Sequence, residues 1–257
     1  MDLSIIIPCF NEVENIPKIR SEFWPVALEL AGTRSVEVIF VDDGSKDGTG
    51  PALEKTFLNG TDSSVLVKIE RHETNRGLGA AIRTGFAAAQ GDVIITTDSD
   101  GTYHFTTIPS MLGYLTPQVD IITASPYHPD GNVVNVPAYR LVLSRGSSTI
   151  YRMLVDGKVH TYTCLYRAYR RQVIKNVPFA SDGYLAGTEL LVNGMLVGYR
   201  VAEFPAVLHS RLLGASKAKL ARTVLAHLSF QARIVLHRLR LMPFVELREV
   251  VRGQEWA

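Results

Sequence analysis

The sequence predicts an α/β fold, a doubly wound and mostly parallel sheet flanked by helices. Two observations predict it. Short, continuous, β-branched runs, each followed at once by a polar loop, recur through the first half of the chain, and stretches with helical spacing lie between them. Strands buried on both faces read as unbroken apolar runs rather than alternating ones. Strands alternating with helices build βαβ units.

Residues 3–7 form the first run, followed by Pro8-Cys9-Phe10-Asn11-Glu12. Helical spacing then covers residues 16–30, bent at Pro25, which has no N–H to give a helix. Residues 36–41 are the second run; the loop Asp42-Asp43-Gly44-Ser45-Lys46-Asp47-Gly48-Thr49 and a helix over 51–58 come next. Residues 65–69 lead to Asn75-Arg76-Gly77-Leu78-Gly79 and a helix over 80–89. A fourth run, residues 91–97, delivers Asp98-Ser99-Asp100. In such sheets ligands bind at the carboxyl ends of the strands. Asn11, Glu12, Asp42, Asp43, Asn75, Asp98 and Asp100 all fall there. Each loop alone also reads as an ordinary turn, with Asn11 as a helix cap; their order points to one site. Asp98 and Asp100 can both turn toward that site, and an oxygen-only pair suits a hard divalent cation.

Composition bounds the rest. The chain has 257 residues, 46% hydrophobic and 20% charged, as an ordinary globular enzyme does. A net charge of +2 argues against nucleic-acid binding by the whole chain. Cys9 and Cys164 are far apart and single, which fits neither a zinc site nor a disulfide framework, so a reducing cytoplasm is expected. The first apolar run is too short for a secretory leader. No apolar run approaches the roughly 18 residues of a spanning helix. No GxGxxG follows the first strand, which counts against a dinucleotide site.

Taken together, segments 4–12, 41–49 and 75–79 resemble family-two glycosyltransferases of the GT-A fold. The resemblance implies a nucleotide-sugar donor. Asp43 would take a base N–H, Pro8 and Phe10 would wall the base, and Val41 would border the same slot. Glu12 would accept from the ribose hydroxyls, with Ser99 touching ribose. Asp98 and Asp100 would hold Mg²⁺ or Mn²⁺ against the diphosphate. Within the family, four segments resemble the polyprenyl/dolichyl-phosphate mannose synthase branch: Asp100-Gly101-Thr102-Tyr103 with Ile108-Pro109, the Arg140 to Gly146 stretch, residues 161–171, and residues 211–217. That branch implies inverting transfer of a hexose, from a donor of GDP-mannose or UDP-glucose type, to a polyprenyl phosphate. Arg140, Arg211 and Lys217 would offset the phosphate charges, with Ser144 as a hydroxyl donor.

Two alternatives stand beside this reading. Transfer to a sugar or other hydroxyl needs a general base, and Glu189 in Gly187-Thr188-Glu189 lies where the family often places one. A non-catalytic nucleotide-sugar-binding scaffold would have no use for the retained Asp98 and Asp100. A processive synthase is not expected, since no Gln-x-x-Arg-Trp motif occurs. The chain also departs from the branch: Pro126 stands where an arginine is usual, His104 where an acidic residue is common, and Leu165 where a glycine closes the site.

Residues 1–214 read as the catalytic domain and 215–257 as a helical extension. Between Glu203 and Glu246 there is no acidic residue, while Arg211, Lys217, Lys219, Arg222, Arg233, Arg238 and Arg240 accumulate. Lys219, Arg222, Arg233 and Arg240 share one helical face; Leu220, Val224, Leu228, Val235 and Leu239 share another. This is the pattern of a basic amphipathic helix on an anionic membrane, or of a helix packed on the domain with a charged rim. The expected location is the cytoplasmic membrane face, peripherally bound. Nothing in the sequence speaks to oligomeric state.

Overall fold

The structure, a computed structural model, describes residues 1–58, 64–211, 213 and 220–241. Its frame is the expected one. β1 (Leu3–Cys9) and β2 (Val36–Asp42) are buried along their whole length, as their unbroken apolar runs require. β3 (Val65–Arg71) pairs only with β2 at the edge and is buried only in part. β4 (Val93–Thr96) pairs with the other side of β1. Among the described residues, seven strands form one sheet in the order β3-β2-β1-β4-β7-β5-β8. β5 is Ile121–Ser125, β7 is Arg167–Arg170 and β8 is Val201–Pro205. All pairings are parallel except those of β7, which runs antiparallel between β4 and β5. A strand reversed in this way starts where its neighbours finish, so residues 161–166 lie at the same end of the sheet as Asp98. A two-stranded ribbon of β6 (Asn132–Val134) and β9 (Val207–His209) stands beside that end.

The helices follow the sequence closely, with one refinement. α1 (Ile16–Lys18) passes through a π-helical turn, Ile19–Phe23, into α2 (Trp24–Ala31), where Pro25 sits at the start. The wider turn accommodates Pro25's missing donor, so the helix steps rather than simply bends. α3 (Thr49–Phe57) and α4 (Leu78–Ala88) begin directly after polar loops. α5 (Ile108–Leu112), α6 (Ala138–Leu154), α7 (Arg171–Asn176) and α8 (Ala186–Leu196) follow.

Strand alternation sorts the core. Val36, Val38 and Phe40 of β2 face Trp24 and Phe57 on one side; Ile39 and Val41 face Ala81 of α4 on the other. α9 (Leu220–Arg238) packs on α6 through His227, Phe230, Gln231 and Ile234. The Tyr151 hydroxyl lies 3.1 Å from His227 Nδ1, and Gln231 Nε2 donates to Ser147. The leucine stripe is therefore not what meets the protein: Leu225, Leu228, Val235 and Leu239 are exposed. The expected boundary after residue 214 lies outside the described residues. No helix among those described is long and apolar enough to cross a membrane.

Candidate active site

At the carboxyl end of the sheet is a cleft of about 780 Å³. Pro8 and Phe10, just past or at the end of β1, form part of its wall. Glu12, Asp98, Ser99, Asp100 and Arg211 line it together, and Arg140 and Ser144 of α6 also line it. Most of the residues expected at the site line this one cleft. Local geometry explains the placement: Asn11 takes a left-handed conformation (φ 52°), which asparagine tolerates, and turns the chain sharply after β1. Its side chain does not cap a helix; Asn11 Oδ1 accepts from Lys46 N at 2.9 Å, tying the β1 and β2 loops together.

The electrostatic centre is a cluster of carboxylates around one guanidinium. Arg211 Nε lies 3.0 Å from Asp100 Oδ2, and Arg211 also pairs with Glu12 Oε1. Burial works against the charge of Arg211, yet Asp100 and Glu12 hold its pKa above the ordinary value. Burial likewise raises Glu12, with Arg211 and Asn15 opposing. Asp98 is pushed well above the usual carboxylate range, first by burial and then by Asp100. Three carboxylates facing one guanidinium leave more negative charge than the site neutralises, and a divalent cation would supply that balance. The donor atoms fit: all are hard oxygens. Among the described residues no three His, Cys, Asp or Glu are grouped to hold an ion by protein atoms alone. Two carboxylates with substrate phosphates and water would complete a shell of the Mg²⁺ kind.

Other expected residues sit differently. Val41 is fully buried against α4, because strand alternation turns it away from the cleft. Asp43 reaches the wall, but its carboxylate is already occupied. Oδ1 accepts from Arg76 N at 2.8 Å and faces His72 Nδ1 at 2.6 Å; Oδ2 accepts from Asn75 Nδ2 and Gly77 N, both at 2.8 Å. A base N–H would have to share an oxygen with these donors. His72, whose Nε2 lies 2.9 Å from Thr84 Oγ1, has no sequence signal as a site residue.

Glu189 is buried and lies outside the cleft lining. Its Oε2 accepts from Ala180 N (3.2 Å) and Ser181 N (2.8 Å). It shapes the loop before α8, and that loop is strapped to the opposite one. Gly79 N donates to Asp182 O at 2.8 Å, and Arg83 donates to Ser181 O at 3.0 Å. Gly77 and Gly79 leave no room for a Cβ against the Asp182 and Ser181 carbonyls. Lys217 lies outside the described residues.

Several contributors escape sequence reasoning. Lys18 Nζ donates to the Asp100 carbonyl at 3.0 Å. Tyr184, which lines the cleft, has its pKa raised by burial and then by Asp98. Ser144 Oγ lies 2.6 Å from Thr163 Oγ1. Of the three departures, Leu165 and Pro126 line the cleft, while His104 stays outside it with its ring 4.4 Å from that of His209.

A family model described as "Glycosyl transferase family 2" matches residues 4–177. The chain belongs to that family. It is a glycosyltransferase. Across 219 residues this family-two chain is 34% identical to polyprenol monophosphomannose synthase of Mycolicibacterium smegmatis, covering 83% of this chain and 79% of that one. It is 29% identical over 237 residues to dolichol-phosphate mannosyltransferase of Pyrococcus furiosus, covering 91% of this chain and 64% of that one. In fold it matches glucosyl-3-phosphoglycerate synthase of Mycobacterium tuberculosis, solved with Mn²⁺, UDP and glucosyl-3-phosphoglycerate. The TM-score is 0.65 at 18% identity, over 94% of this chain and 81% of that one. The same synthase was also solved with Mg²⁺ and UDP. β7 runs antiparallel with Thr96 opposite Arg167, which returns residues 161–166 to the end of the sheet that carries Asp98.

Proposed function

We propose that this glycosyltransferase moves a hexose from a nucleotide sugar to a polyprenyl phosphate, with inversion, using Mg²⁺ or Mn²⁺. The relatives named as acting on polyprenol, dolichol or undecaprenyl phosphate support the acceptor class. The observation that carries the reading is the division of the cleft. Glu12, Asp98 and Asp100 gather around Arg211, Arg140 and Ser144 line the same cleft, and Glu189 is held away by two backbone donors. An acceptor phosphate is already anionic, so its oxygen can attack the anomeric carbon while the bond to the diphosphate breaks, and no hydroxyl proton needs a base.

Asp98 and Asp100 are the residues that would hold the cation, which would offset the charge growing on the leaving diphosphate. Arg140 and Ser144 orient the acceptor phosphate. Arg211, tied to Glu12 and Asp100, positions those carboxylates and lowers the cost of gathering anions there. Lys217 is proposed as a further cation. Pro8 and Phe10 hold the base, with Asp43 fixing the wall behind it, and Glu12 and Ser99 face the ribose. Leu165 narrows the sugar side.

The exposed leucines of α9, beside Arg222 and Arg238, support peripheral attachment to an anionic membrane, where a polyprenyl phosphate would be met. The test is transfer from GDP-mannose and UDP-glucose to polyprenyl phosphate, with and without EDTA. Metal-dependent formation of a lipid-linked hexose is expected. Transfer only to soluble hydroxyl acceptors would refute the acceptor assignment.

A further inference from the structure

A second cavity of about 510 Å³ lies beside the cleft, within the roughly 300–1,000 Å³ of ordinary ligand pockets. None of the described residues given a role in transfer above lines it. The two spaces share Pro126, Tyr127, Asn135, Val136 and Leu141, and α6 contributes to both. Helical periodicity divides the labour. Arg140 and Ser144 serve the cleft, while Leu141, Arg145, Thr149 and Arg152 form one stripe along the second cavity. His128 and His160 close it from the other side.

The charges facing this space are mainly positive. The Arg145 guanidinium sits 5.0 Å from the Tyr127 ring centroid, and Arg152 donates to the Gly157 carbonyl at 3.1 and 3.3 Å. Both partners are neutral, and neither arginine has a carboxylate within ion-pair distance among the described residues. The carboxylates paired with the cavity's histidines are Glu203 and Asp130. Glu203 is buried behind His160, accepting from His160 N at 2.8 Å and Thr161 N at 3.0 Å, with His160 Nδ1 at 2.7 Å. Asp130 is exposed, 3.6 Å from His128 Nδ1. Neither neutralises the arginine pair.

We propose that this cavity is an anion site that takes a phosphate ester, either of a small soluble molecule or of a lipid headgroup. Two guanidiniums on one helix stripe can each offer paired N–H donors to phosphate oxygens. Stacking of Arg145 on Tyr127 pre-orders one of them and reduces the entropy lost on binding. The site is independent of the acceptor reading, since it uses none of the cleft's charged residues.

The experiment titrates inorganic phosphate and glycerol 3-phosphate calorimetrically into wild type, Arg145→Gln/Arg152→Gln, Arg145→Lys/Arg152→Lys and Arg140→Gln. In parallel, each protein is sedimented with phosphatidylglycerol or phosphatidylcholine vesicles. The Gln pair should weaken phosphate binding at least tenfold, while Arg140→Gln keeps the site and the Lys pair retains most of it. Loss confined to phosphatidylglycerol vesicles would identify the source as a lipid headgroup. Unfolding of the Gln pair is excluded by comparing melts without ligand, and the Lys pair tests the charge independently. Equal binding of both soluble phosphates and both vesicle types by wild type and the Gln pair overturns the proposal.

Discussion

Lowering the pH from about 7.5 to about 5 should weaken the seating of α9 on α6 by about 2 kcal/mol, because His227 is buried as the neutral base. Its ring meets the Tyr151 hydroxyl at 3.1 Å, and the two rings lie 5.9 Å apart, edge to face. Burial pushes the imidazole down to about 4, against about 6.5 in an unfolded chain. A pKa lowered on folding leaves stability intact above the unfolded value, where both states are neutral. As the pH falls from about 6.5 toward 4, the released histidine takes up a proton that the seated one refuses, and the contact weakens. At pH 5 the proton-binding ratio between the two states is about 30, which corresponds to about 2 kcal/mol. The assay is urea unfolding of wild type and His227→Gln at both pH values, with hydrogen exchange in α9 to localise the opening. Gln keeps an acceptor for Tyr151 but does not titrate. Wild type should lose about 2 kcal/mol more than the variant. Equal losses would refute a neutral, buried His227.

Asp100→Ala should reduce transfer by at least ~100-fold with the melting curve nearly unchanged, since a half-buried charge is removed but no core packing; an active variant, or full turnover in excess EDTA, contradicts the metal assignment. Glu189→Gln should keep appreciable turnover and lose about 1 kcal/mol of stability, because the amide oxygen still accepts from Ala180 and Ser181 but without charge. A loss of about a thousandfold with donor binding intact would instead make Glu189 a general base. Replacing Arg222, Arg233 and Arg240 together by Gln should weaken binding to anionic vesicles by about 1 kcal/mol per charge and flatten its salt dependence, with donor affinity unaltered. Equal co-sedimentation of the triple variant would remove the membrane role.

What the sequence reveals here is what local pattern controls. Unbroken apolar runs locate β1, β2 and β4, and the polar loops after them place Glu12, Asp98 and Asp100 at one edge. What it conceals depends on partners far along the chain. Val41 looks like a slot residue until alternation within β2 places it under α4. Asp43 looks like a free acceptor until His72, Asn75, Arg76 and Gly77 fill both oxygens. Glu189 sits in a suggestive Gly-Thr-Glu triplet, yet the backbone of residues 180–181 turns it inward. For α9, periodicity shows that the helix has distinct faces but not which one meets α6. The burying face proves to carry His227 and Gln231, each with a hydrogen-bonding partner, rather than the leucines. The stripe of Arg145 and Arg152 is equally silent in sequence, because its meaning comes from β6 and the His128 and His160 segments closing opposite it.

The strap between Gly77–Gly79 and Ser181–Asp182 gives the cleft the character of a mould with one fixed half. The loop that carries Asn75 is pinned from below by Asp43 and from the side by Asp182, and Glu189 fixes the far end of the same assembly. Main-chain groups hold this half, so a ligand pressed against it meets a shape already cast and orders few side chains on arrival. Under the proposed function, fidelity in choosing the base would then be a property of the casting itself. A side chain added at Gly77 or Gly79 would drive into the Asp182 or Ser181 carbonyl and warp that half of the cleft.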